Sequence, residues 1–146
     1  MTSLYLWLKF LHIVAVIAFV MPHGVSAAAS FLVRGPVTPQ TSRLLKLSQR
    51  ASIGSNPGLL LLIVTGVWMG FIAPWWGQKW IWTAIVVLVI VAVAMGVLAR
   101  PYYMAREAKD DAAIAERLGK ARPVAAAAIG GVGLFVLIFL MVFKPF

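Results

Sequence analysis

Two histidines and a lysine stand inside a stretch otherwise apolar enough to cross a membrane: Lys9, His12 and His23, with Pro22 beside the second histidine, within Leu4–Val33. Ionisable groups are costly in a bilayer and tend to face a protein interior, so these positions are the first candidates for chemistry. A neutral imidazole at such depth is suited to holding a metal ion or to serving as an axial ligand of haem iron, with a methionine or a second histidine opposite. His12 follows Lys9 at i+3, and His23 lies eleven residues further on. Eleven residues are about three helical turns, so the rings fall within about 20° of one stripe and about 16 Å apart in depth.

Depth selects the partners. Met69 of the second apolar stretch is level with His12, and Met95 of the third is level with His23. Lys9 would then reach a propionate or a lipid headgroup. No other histidine exists in the chain, so bis-histidine ligation requires a second copy. The alternative for either ring is a hydrogen bond to a hydroxyl such as Ser26, Ser30 or Thr65, or to the carbonyl that Pro22 frees in its own helix.

Four stretches are long enough to span about 30 Å of hydrocarbon, near 4–33, 57–72, 80–99 and 124–143. With 62% hydrophobic and 12% charged residues over 146 positions, nothing is left for a soluble domain. The expected fold is all-α, a single four-helix bundle in the membrane, over 1–146. The first span lacks the basic start of a cleavable leader and is read as retained.

The net charge of +9 does not point to nucleic acid, because its placement is that of a membrane protein. Arg34, Arg43, Lys46 and Arg50 fall in the first loop, and Arg100, Arg106, Lys109, Arg117, Lys120 and Arg122 in the third. Only Lys9, Lys79 and Lys144 fall towards the other side. By the positive-inside rule both termini face outward and both long loops inward.

After Gly35-Pro36, Thr41 or Ser42 is placed to cap a short amphipathic helix with Arg43, Lys46 and Arg50 on one stripe and Leu44, Leu47 and Ala51 on another. Such a helix lies among headgroups or offers its cations to an anionic ligand. Ser55-Asn56-Pro57 opens the second span, which carries Gly66-x-x-x-Gly70, a close-packing signature. Trp75, Trp76, Trp80 and Trp82 form an aromatic belt at the other interface. The third span reads as Val-rich and featureless. Beyond it a helix is expected over Met104–Leu118, stopped by Gly119, with Arg106/Asp110 and Glu116/Lys120 as i,i+4 pairs. The fourth span opens with small residues, Ala125–Ala128, Gly130, Gly131 and Gly133.

No span contains Asp or Glu, which argues against a proton-driven antiporter. No phosphate loop, dinucleotide fingerprint or serine-hydrolase elbow occurs, and cysteine is absent. An enzymatic role is left open.

The run Leu4-Tyr5-Leu6-Trp7-Leu8-Lys9-Phe10-Leu11-His12-Ile13 resembles the opening of bacterial membrane families around CopD-type copper-resistance proteins and HemJ-type protoporphyrinogen oxidases. From Arg43 through Thr65-Gly66-Val67-Trp68 to Trp80-Ile81-Trp82, the chain is similar to a neighbouring family of small predicted integral membrane proteins of unassigned function. The resemblance implies a bacterial cytoplasmic (inner) membrane and, at Lys9 and His12, a b-type haem or a metal. The resulting expectation is a haem- or redox-associated membrane protein with His12 as preferred ligand. An accessory subunit of a larger complex, a homo-oligomer, and a small transporter or lipid-binding module are the alternatives.

Overall fold

The computed structural model describes residues 3–33 and 35–146; Arg34, one of the cations counted above, lies outside them. The chain is all-α, without strands among the described residues: α1 (Ser3–Leu32), α2 (Pro39–Gly54), α3 (Asn56–Ile72), α4 (Lys79–Glu107), α5 (Asp111–Lys120) and α6 (Pro123–Phe143), with a 3-10 turn at Trp75–Gly77. Four segments are long and apolar enough to cross a membrane. The fold is built as two like halves. In each, one long span leads through a short amphipathic helix to a second span. α1 packs along α3 and α4 along α6, while the halves meet more thinly, through α1 with α6 and α2 with α4.

The close contacts are set by missing side chains. A Cβ on Gly58 would sit 2.9 Å from the backbone of Ala18 and Phe19, so α1 and α3 cross there backbone to backbone. Gly133 of α6 makes room for a side chain of α4, since a Cβ there would collide with Val91. The Gly66/Gly70 pair works differently from a helix-crossing motif: Gly66 receives the His12 ring and Gly70 receives the Trp76 indole.

Several boundaries depart from the expectation, each for a local reason. The cap of α2 is Thr38, not Thr41 or Ser42: Pro39 occupies the first turn, and Thr38 and Thr41 satisfy one another's backbone N–H in a capping box. Helix α4 does not stop near Ala99 but continues through Pro101 to Glu107. The expected helix Met104–Leu118 is therefore split, and Asp110 opens α5 by accepting from the Ala113 N–H at 2.7 Å. Asp110 is thus a cap instead of a partner for Arg106, while Lys120 and Glu116 do pair, at 2.5 Å.

α2 and α5 do more than lie among headgroups. α2 buries Thr41, Leu45 and Ser48, whereas Leu47, assigned to its apolar stripe, is exposed. Leu45 joins Val33, Tyr102 and Ile114 in a hydrophobic cluster that closes the end of the bundle carrying the cationic loops, here called the basic end. At the opposite end Trp75 meets Trp80 edge-on at 5.2 Å, and the Lys144 ammonium lies 4.5 Å from the Trp75 ring. Trp80 is 1% exposed, which fastens the aromatic belt to the bundle as well as to the interface.

Candidate functional site

Both candidate imidazoles sit on α1, but they face different neighbours. His12 is half-buried against α3, and its Nδ1 lies 2.9 Å from the Thr65 hydroxyl oxygen. That hydroxyl has one hydrogen, and it is given to the Leu61 carbonyl at 2.7 Å. Thr65 therefore accepts, Nδ1–H donates, and Nε2 keeps its lone pair. Met69, one turn along α3 from Thr65, is buried at the level assigned to it; Lys9 is exposed on the helix surface.

His23 is held from within its own helix. Its Nδ1 lies 3.0 Å from the Phe19 carbonyl, which can only accept, and its ring rests 4.3 Å from the Phe19 ring. In the neutral ring Nε2 then carries the lone pair. His23 borders a cavity of about 80 Å³ between α1, α4 and α6 at the basic end. Met95, the methionine matched to it by depth, lines the same cavity, together with Ser26, Tyr102, Tyr103 and Arg122. Tyr102 is 5% exposed, and its hydroxyl is buried without a hydrogen-bond partner among the described residues. A buried hydroxyl left unpaired costs about 1–3 kcal/mol, and the residue that carries it both lines this cavity and packs in the Val33–Leu45–Ile114 cluster.

One turn beyond Tyr102, Arg106 reaches across both halves. Its Nη2 donates to Ser26 of α1 and Ser48 of α2, each at 2.6 Å, and its Nη1 donates to Ser52 of α2 at 3.0 Å. Its Cζ lies 4.7 Å from the Tyr102 ring centroid and 4.6 Å from that of Tyr103. Ser26 and Ser48 are joined at 2.9 Å, and Ser52 donates to the Ser48 carbonyl at 3.0 Å. Ser48 is wholly buried. No carboxylate comes within ion-pair distance of this guanidinium among the described residues, and its Nε–H is buried without an acceptor. A second, more open cleft of about 310 Å³ adjoins it, bordered by Gln49, Ser52, Asn56, Tyr103, Arg106 and Glu107.

The structure thus brings His23 and Met95 to one cavity and packs His12 into the α1–α3 seam beside Thr65. It does not gather His12 and His23 at one site, because the crossing of α3 over α1 assigns the first ring to α3 while the second lies beyond that crossing. Among the described residues no cluster of three or more His, Asp or Glu side chains is placed to hold a metal ion. Sequence reasoning missed Tyr102 and Arg106. The available signal was their spacing at i+4 on a helix that continues past Pro101, with Ser26, Ser48 and Ser52 at the same depth on two other helices.

No curated protein and no solved structure matches this chain. Residues 6–145 match one family, described as predicted integral membrane protein (DUF2269). A match over nearly the whole length, with four apolar helices in the architecture such a description requires, leaves no segment unaccounted for, and the chain belongs to the DUF2269 family of predicted integral membrane proteins.

Proposed function

We propose that this protein is a membrane-embedded binding module that holds an amphiphile at its basic end, in the cavity between α1, α4 and α6. The observation that carries this reading is a cavity lined by His23, Met95 and Tyr102, the last with a buried hydroxyl that meets no hydrogen-bond partner among the described residues. A bilayer offers little water to satisfy such a group, whereas an ester carbonyl or hydroxyl of a dissolved amphiphile does so directly. The rest of the wall is mainly apolar, which suits a hydrocarbon segment. The ten loop cations support an orientation with this end in the inner leaflet of a cytoplasmic membrane and both termini outside.

Native mass spectrometry of the purified protein tests the reading. Wild type is expected to retain lipid-mass adducts, and Tyr102→Phe to lose them by roughly threefold to tenfold, the worth of one hydrogen bond. Wild type emerging free of adducts from membranes of every lipid class would sink it.

A second reading, haem association, has one observation in its favour. Both imidazoles have Nδ1 engaged by an oxygen, the arrangement that orients a ligating histidine. His23 with Met95 is the pair for a b-type haem, whose chemistry is electron transfer or oxygen binding. A cavity of about 80 Å³ does not enclose a tetrapyrrole, however, so the group fits only at the open side of the bundle or between two copies. An absorption spectrum of protein made with ample haem decides it: a Soret band lost in His23→Ala supports the reading, and a colourless wild type removes it.

A further inference from the structure

The Arg106 guanidinium is anchored by neutral groups alone. Three of its five N–H donors go to serine hydroxyls, its Cζ lies over two tyrosine rings, and no described carboxylate neutralises it. A structural arginine at a helix junction is ordinarily paired with Asp or Glu, because an unpaired charge withdrawn from water is costly. Here the four acids of the chain sit elsewhere or at the rim: Asp110 caps α5, Glu116 holds Lys120, Asp111 lies in the first turn of α5, and Glu107 borders the adjoining cleft. What remains at Arg106 is a buried Nε–H and full positive charge beside an open cleft of about 310 Å³. Gln49, Asn56 and Tyr103 add neutral side chains able to donate to the same space.

We infer that the cleft at Arg106 binds a phosphate group. With three N–H groups given to serines and Nε–H buried, Arg106 offers a phosphate its charge and one remaining Nη1–H, and the amides and hydroxyl of Gln49, Asn56 and Tyr103 supply the neutral donors around it. The inference rests on the amphiphile reading for the rest of the ligand: Tyr103 borders both cavities, which puts the Arg106 cleft next to the one lined by Tyr102 and Met95. Phosphate arrives either on a lipid headgroup or free in solution, and the two sources separate experimentally.

The test compares three probes on the full-length protein in detergent: phosphatidic acid, diacylglycerol with the same acyl chains, and inorganic phosphate. Wild type is expected to bind phosphatidic acid about tenfold more tightly than diacylglycerol, and Arg106→Gln to abolish that preference while still binding both. Glu107→Gln leaves the serine anchor untouched and is expected to tighten phosphatidic acid about twofold by removing a like charge, a readout available even where Arg106→Gln does not assemble. Preference for phosphatidic acid without binding of inorganic phosphate assigns the headgroup as source; Arg106-dependent binding of inorganic phosphate without either lipid keeps the anion site and overturns the amphiphile reading. Equal binding of phosphatidic acid and diacylglycerol by wild type, a preference that survives Arg106→Gln, or no binding of any probe overturns the inference.

Discussion

His12 and His23 share a helix, a residue type and nearly a helical stripe, yet one is tied to a neighbouring helix while the other lines a cavity. His12 donates across a seam to a hydroxyl on α3, under a glycine that admits its ring. His23 donates to a carbonyl of its own helix and lines a cavity. The difference lies in where the partner is. A hydrogen bond between helices makes a histidine a fastener, whereas one within a helix fixes its tautomer and leaves its surroundings free.

The most severe way to break this contrast is to open the seam that holds His12. Gly58→Ala puts a Cβ 2.9 Å from the α1 backbone, where no side chain can rotate away. Overpacking of this kind costs about 1–3 kcal/mol, and unfolding in detergent and denaturant should show it. A change within ~0.5 kcal/mol would mean that α1 and α3 are not held backbone to backbone. Gly133→Ala acts on the other half with a smaller effect, because its neighbour there is the Val91 side chain and not a backbone.

Next comes the hydrogen bond itself. Thr65→Val keeps the shape of α3 and removes the acceptor for His12, with an expected loss of about 0.6 kcal/mol and at most about 1.7, the range for side-chain bonds between membrane helices. His23→Leu should leave stability within about 0.5 kcal/mol, since no other element depends on that ring, while lowering the amount of lipid that co-purifies. If His23→Leu destabilises more than Thr65→Val, the roles assigned to the two rings are reversed.

The architecture was legible before any coordinates because hydrophobic length and loop charge are long-range signals: four spans and two amphipathic connectors follow from them directly. Thr65 as a partner for His12, and Met95 level with His23, were also within reach, since depth along a span is simple arithmetic. What was not legible is which way each ring turns. That depends on the crossing at Gly58, and a glycine in a sequence does not announce whether it admits a backbone, a ring or nothing. Gly58 admits a backbone, Gly66 an imidazole, and Gly131 nothing within 4 Å. Arg106 was hidden for a related reason. Its i,i+4 spacing to Asp110 invited a surface pair, but α4 ends at Glu107 and Asp110 turns to cap the next helix. The helix boundary, more than the charge, decided its partners.

The smallest effect sharpens the same point from the outside. Lys120 and Glu116 form the surface pair that Arg106 and Asp110 do not, at 2.5 Å and with both side chains in water. The ammonium of Lys120, through its hydrogen bond and then its charge, holds the Glu116 carboxyl below its ordinary 4.5. A carboxyl whose value is lower folded than unfolded stabilises the fold above the unfolded value, and that help fades as pH falls through the folded one. Glu116→Gln should therefore lower stability only slightly at pH 7, and the gap from wild type should close as the pH is brought below about 4.5. Added salt should close it too, because exposed pairs are screened within a Debye length. The serine-bound Arg106 faces neutral partners, so Arg106→Gln should show a deficit that pH does not close over the same range. If both deficits fade together on acidification, a carboxylate contributes to the Arg106 hub after all, and the phosphate cleft loses the unneutralised charge on which it was inferred.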